Sequence, residues 1–173
     1  KARGMYAEGT GIKSINNIGT IKIGDSSNSA NPGIGIYSKT AGDVITNTGT
    51  IAAGINSVGV YSLGGTVNQD SVITTGGIGV YADSAAVNLN TGSTLVTGDN
   101  GAAGVYAING SNVVNTGTTA VGNGSYGYVM KSGSNLINNS MATVGDNGVF
   151  VYGDGAGTLN NSSNVILTGS DSF

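Results

Sequence analysis

The sequence predicts an all-β chain wound as a right-handed parallel β-helix, a solenoid of about seven coils with about three short strands in each. Three observations predict it. A Gly-aliphatic-Tyr unit recurs along the chain, and an Asn-x-Gly unit follows it in the clear copies. No window carries the apolar i, i+3, i+4, i+7 pattern of a helix. A unit this short cannot bury a core alone, so its copies must stack.

The first unit reads Gly4-Met5-Tyr6-Ala7, Gly35-Ile36-Tyr37-Ser38, Gly59-Val60-Tyr61-Ser62, Gly79-Val80-Tyr81-Ala82 and Gly104-Val105-Tyr106-Ala107. Degraded copies follow at Gly127-Tyr128-Val129-Met130 and Gly148-Val149-Phe150-Val151. In a strand, alternate residues share a face. The aliphatic position after each glycine is therefore expected inside. The tyrosines share their face with Glu8, Lys39, Asp83 and Lys131, and charges avoid a core, so that face is expected outside.

The second unit is Asn17-Ile18-Gly19, Asn47-Thr48-Gly49, Asn90-Thr91-Gly92 and Asn115-Thr116-Gly117. Asn17, Asn47, Asn90 and Asn115 are read as structural turn residues. Asn tolerates left-handed backbone and bonds nearby peptide groups. Stacked coil on coil, its amides can also bond one another. A glycine then closes the next strand at Gly24, Gly54, Gly76, Gly98, Gly122, Gly145 and Gly169. Short β-branched runs such as Val44-Ile45-Thr46, Val113-Val114-Asn115 and Leu136-Ile137-Asn138 supply strands between the landmarks. With strands about 4.8 Å apart, seven coils make a rod roughly 34 Å long.

Composition limits the chemistry. The 173 residues hold 32 Gly, one Pro, and no Cys, His or Trp. Lack of Cys removes disulfides and thiolate metal sites, and lack of His removes the commonest general base. The net charge of −3 gives a nucleic-acid partner little support, and no apolar run is long enough to span a bilayer as a helix. Lys1, Arg3, Lys13, Lys22 and Lys39 cluster early and leave only Lys131 beyond. No catalytic residue, cofactor site or metal site is assigned. Asp25, Asp99 and Asp146 could edge a calcium site, but solvated turn residues explain them better, since calcium needs six to eight oxygens. Asp83, Asp99 and Asp154 could supply paired carboxylates for glycan hydrolysis, although nothing in the sequence brings them together.

The candidate partner-binding feature is the aromatic column Tyr6, Tyr37, Tyr61, Tyr81 and Tyr106. Tyrosine is enriched at binding surfaces, and a flat ring can stack on a sugar. The same column could simply cover a sheet and pair with itself. The longest connection, 24–33, breaks the repeat and is a place for a binding loop or a tolerated insertion.

The tandem unit Gly33-Ile34-Gly35-Ile36-Tyr37-Ser38 with Asn47-Thr48-Gly49-Thr50-Ile51, in coils rich in Gly, Asn and Thr and without Cys, resembles the passenger domains of large fusobacterial autotransporter adhesins. The resemblance covers the whole chain. It implies a type V secreted protein, anchored at the outer membrane through a translocator domain absent from this sequence. It also implies binding to a host-cell or bacterial surface protein or glycan. On that reading residues 1–173 are one monomeric β-helical segment of a longer passenger, with no membrane insertion of its own. The alternatives are a pure spacer and a β-helical polysaccharide-degrading enzyme, which fold alone cannot separate from an adhesin.

Overall fold

In the computed structural model, which describes residues 2–173, the chain forms three parallel sheets of seven strands each. Lys1 lies outside the described residues. No helix occurs among the described residues. Every third strand in sequence joins the same sheet, so the chain winds as a three-sided solenoid. The tyrosine sheet holds Arg3–Ala7, Ile34–Ser38, Val58–Leu63, Ile78–Asp83, Ala103–Ile108, Tyr126–Lys131 and Val149–Asp154. The asparagine sheet begins with Ser14–Asn17 and Val44–Asn47, and the third sheet with Thr20–Ile23 and Thr50–Ala53.

The register places like upon like. Ile36 pairs with Val60, Val60 with Val80, and Val80 with Val105. These side chains are fully buried, together with Ile45, Val67 and Val87 of the asparagine sheet and Ile51, Ile73 and Leu95 of the third. Each buried aliphatic side chain contributes about 1.5–3 kcal/mol relative to exposure. The column adjusts by volume where the pattern degrades. Tyr128 takes the inward position of the sixth coil, and the third-sheet column opposite falls to Thr119 and Ala142. The buried Tyr128 hydroxyl bonds Thr119 Oγ1 at 2.7 Å.

The glycine of the first unit has a steric reason. A Cβ on Gly79 would lie 2.5 Å from the Gly104 carbonyl oxygen and 3.2 Å from Ile73 and Leu95. Gly4, Gly35, Gly59, Gly104 and Gly127 face the next coil's carbonyl at 2.5 or 2.6 Å in the same way. Glycine and the following aliphatic residue thus both face inward, and simple alternation fails at this point. The residue before the glycine is turned out onto the tyrosine face. Accordingly the Arg3 guanidinium lies over the Tyr6 and Tyr37 rings at 4.4 and 4.5 Å.

The seventh copy of the first unit is displaced from its sequence reading. Tyr126 pairs with Val149, Tyr128 with Val151 and Val129 with Tyr152. The glycine position is therefore Phe150, not Gly148, and the tyrosine position is Tyr152, not Phe150. Phe150 turns inward and packs edge-on against Tyr128, ring centroids 5.4 Å apart. The Gly-Val-Phe-Val string resembles the unit locally, but pairing with the coil below sets the register.

Two substitutions check this packing. Val80→Asp puts an unpaired charge in the aliphatic column and is expected to abolish the folded state, read by circular dichroism and thermal melting. Gly79→Ala must push apart two backbones, and is expected to lower stability by about 1–3 kcal/mol in chemical denaturation. An unchanged denaturation midpoint for Gly79→Ala would mean that the coils do not approach this closely.

Candidate aromatic binding face

The tyrosine column is an unbroken stack over five coils. Tyr6, Tyr37, Tyr61, Tyr81 and Tyr106 have successive centroids 5.3, 5.1, 4.5 and 5.4 Å apart, with rings within 28° of parallel. Parallel pairing of Tyr6↔Tyr37, Tyr37↔Tyr61, Tyr61↔Tyr81 and Tyr81↔Tyr106 fixes this arrangement. The column points outward; Tyr6 is 48% exposed and the other four are half-buried. The ring faces are turned on one another, however. Most of the column offers a ligand ring edges and hydroxyls rather than flat faces, so the stacking of sugars on each ring does not fit its geometry.

Sequence reasoning missed what lies beneath the rings. Ile34, Val58, Ile78 and Ala103, one before each glycine, form an apolar floor on the same face. Ile34, Val58 and Ala103 are buried yet stand apart from the interior core. A groove of about 360 Å³ runs between this floor, the Tyr37, Tyr61 and Tyr81 rings, and Ser29, Ala30 and Pro32 of the long connection. That connection is a wall of the groove. It is held by Ser26 N donating to the Ile55 carbonyl at 2.8 Å, and by Ile55 N donating to Asp25 Oδ1 at 2.8 Å. The apolar residue before the glycine in four successive coils is the sequence signal for this floor. Regular alternation, however, turns that residue inward.

Beyond Tyr106 the stack is interrupted. Val129 takes the next tyrosine position, and Tyr152 resumes it one coil later. A notch of about 330 Å³ opens there, lined by Ala103, Tyr106, Tyr126, Val129, Lys131 and Tyr152. Tyr126 meets Tyr152 edge to face at 6.1 Å. Lys131 Nζ sits 3.0 Å from Asp154 Oδ2 at the rim. That hydrogen bond, assisted by the nearby Tyr106, holds the Lys131 ammonium above its ordinary pKa.

The predicted asparagines divide. Asn17, Asn47 and Asn115 are buried at the ends of asparagine-sheet strands, in one column with Gln69, Leu89 and Asn138. Asn17 Nδ2 donates to Asn47 Oδ1 at 2.6 Å, and Asn47 Nδ2 to Gln69 Oε1 at 2.8 Å. Leu89 interrupts the ladder, which resumes as Asn115 Nδ2 donates to Asn138 Oδ1 at 2.6 Å. Asn90 lies one residue past the column and donates instead to Asp70 Oδ1 at 2.6 Å. None of the four has positive φ; the left-handed asparagines are Asn56, Asn100, Asn109 and Asn147.

The carboxylates are structural or solvated. Asp25, Asp99 and Asp146 each accept a backbone N–H from the next coil, those of Ile55, Asn123 and Ser170. No group of three or more potential His, Cys, Asp or Glu ligands occurs among the described residues. Asp83 and Asp154 share a column but are separated by three coils, about 14 Å at strand spacing. That exceeds both separations used by carboxylate pairs in glycoside hydrolysis. Asp43, which sequence reasoning passed over, is the one fully buried carboxylate among the described residues. Its oxygens accept from Ser38 Oγ at 2.6 Å and Lys13 N at 2.8 Å.

No protein-family model matches the chain, nor does any curated protein or solved structure.

The aromatic stack carries a pH signature. Burial, then the neighbouring Tyr61, Asp83 and Tyr106, push the Tyr81 hydroxyl up to about 12. Burial also raises Tyr61 and Tyr128, the latter opposed by its Thr119 bond. An unfolded tyrosine titrates near pH 10. Above that pH the unfolded chain releases protons that the folded chain keeps. Stability is therefore complete below about pH 10 and falls as pH rises toward about 12. Denaturation midpoints followed from neutral to alkaline pH should show that decline, and Tyr81→Phe should make it shallower.

Proposed function

We propose that this chain is a rigid segment of a bacterial cell-surface adhesin of the type V secreted kind, with the tyrosine face as its binding face. Its partner is a host-cell or bacterial surface protein or glycan. The observation that carries this reading is the groove beside the tyrosine stack. It has an apolar floor, aromatic edges, polar tips and one loop wall, and it runs along the rod axis. A concave site with apolar lining and a few polar groups at its edge is the usual form of a recognition site. The solenoid keeps the elements of the face in fixed register, which limits the ordering entropy lost on binding. A chain almost without charge, built of near-identical coils, also suits export unfolded and folding outside from one end.

A spacer is the second reading, and a specific observation favours it. Offset parallel stacking occupies the rings with one another, at about 0.5–1.5 kcal/mol a pair, so the column has a structural use without any partner.

The test applies the 173-residue chain to host cells, bacteria and a glycan array beside Ile78→Gln. Ile78 lines the groove from outside the core, so this variant should melt close to the parent. Binding by the parent, reduced at least about tenfold in Ile78→Gln, is the expected outcome. Binding by neither supports the spacer, and equal binding by both moves the site off this face.

A further inference from the structure

We infer that the break in the tyrosine stack at Val129 is a binding site for one neutral pyranose ring, seated between Tyr106 and Tyr152. This rests on the reading of the tyrosine face as a binding face and names what one part of it takes.

The stack itself supplies the geometry. Consecutive rings elsewhere are 4.5–5.4 Å apart, and each position holds one ring. At the sixth coil the position holds Val129, whose short side chain is 7% exposed and floors the notch. Tyr106 and Tyr152 are two coils apart, about 10 Å at strand spacing, which leaves the thickness of one further ring between them. Tyr106 is stacked by Tyr81 on one side only. Tyr152 is 45% exposed and meets Tyr126 edge-on, so its faces are not used in parallel stacking. At this break Tyr106 has one face without a parallel ring partner.

The rim decides the chemistry of the occupant. Lys131 and Asp154 pair at 3.0 Å, so the rim offers a donor and an acceptor with no net charge. Tyr106, Tyr126 and Tyr152 also line the notch, and a tyrosine hydroxyl both donates and accepts. An apolar aromatic slot ringed by balanced donors and acceptors matches a ligand with C–H faces and a hydroxyl-bearing edge. A neutral pyranose has that form. A charged sugar would have to displace one member of the ion pair, and an aromatic side chain would leave the rim unused. The notch volume of about 330 Å³ lies within the range of small-ligand sites.

Methyl hexopyranosides and short neutral oligosaccharides, titrated into the chain, are the probe. The chain has no Trp, so tyrosine emission and the Tyr106 and Tyr152 ring resonances report directly. Val129→Tyr fills the slot with the residue that the six other coils carry at this position, and should fold as the parent does. Saturable shifts at Tyr106 and Tyr152 with at least one neutral pyranoside, weakened at least about tenfold in Val129→Tyr and in Tyr152→Ala, are the expected result. Three results overturn the proposal. One is equal sugar binding by Val129→Tyr, which puts the site elsewhere on the rod. Another is a response to tyrosine amide without a response to any pyranoside, which makes the occupant a peptide side chain. The third is no response to either while the chain still binds cells, which leaves the adhesive reading standing and removes the slot. Failure to bind cells as well would overturn both.

Discussion

Each coil lies directly above the last at the spacing of one hydrogen-bonded strand, so every side chain meets its own counterpart. That constraint selects residues by whether they tolerate a copy of themselves. Aliphatic side chains do, and form the core columns. Asparagine does, because its amide donates on one side and accepts on the other, as from Asn17 to Asn47. Tyrosine does, because its rings stack. A like charge does not, since like charges directly opposite destabilise a sheet. The scarcity of charge, 9% of residues, follows. Where charges do occur in successive coils of the tyrosine sheet they alternate in sign, Glu8 under Lys39 at 2.7 Å and Lys131 under Asp154 at 3.0 Å.

The glycine column sets which faces those residues occupy. Because a Cβ there would strike the next coil's carbonyl, glycine and its successor both turn inward and the preceding residue turns out. One missing carbon thereby creates the apolar floor under the tyrosines. The groove is thus a by-product of the coil's tightest point, and the long connection closes one side of it. Interior and exterior are coupled at the sixth coil as well. Tyr128 moves an aromatic ring into the core, Thr119 makes room and bonds it, and the outer position is left with Val129. The change that repacks the inside opens the notch outside.

The stacking that stabilises the tyrosines also withdraws their faces from a partner. Recognition is then left to ring edges and hydroxyls along most of the rod, and to flat aromatic surface where the stack is broken. A repeat protein of this kind gains a local site by interrupting its pattern, since an uninterrupted column presents the same surface at every level. Lys131 and Asp154 add a donor and an acceptor at the break.

The repeat, the parallel solenoid with three strands to a coil, the inward aliphatic column and the outward tyrosines are all legible in the residue pattern. All of these depend on local pattern and on the one-strand spacing that any stacked coil must adopt. The residue pattern did not determine the seventh register, where Gly148 imitates the unit but Phe150 occupies its place, because register is fixed by pairing with the coil below. Nor did it separate Asn90 from the buried column of Asn17, Asn47 and Asn115, since a shift of one residue moves a side chain out of its column and only the paired strands reveal it. The outward turn before each glycine, the groove and the notch at Val129 were decided by tertiary structure alone. They arise where two coils approach too closely for regular alternation, and that distance exists only once the coils are stacked.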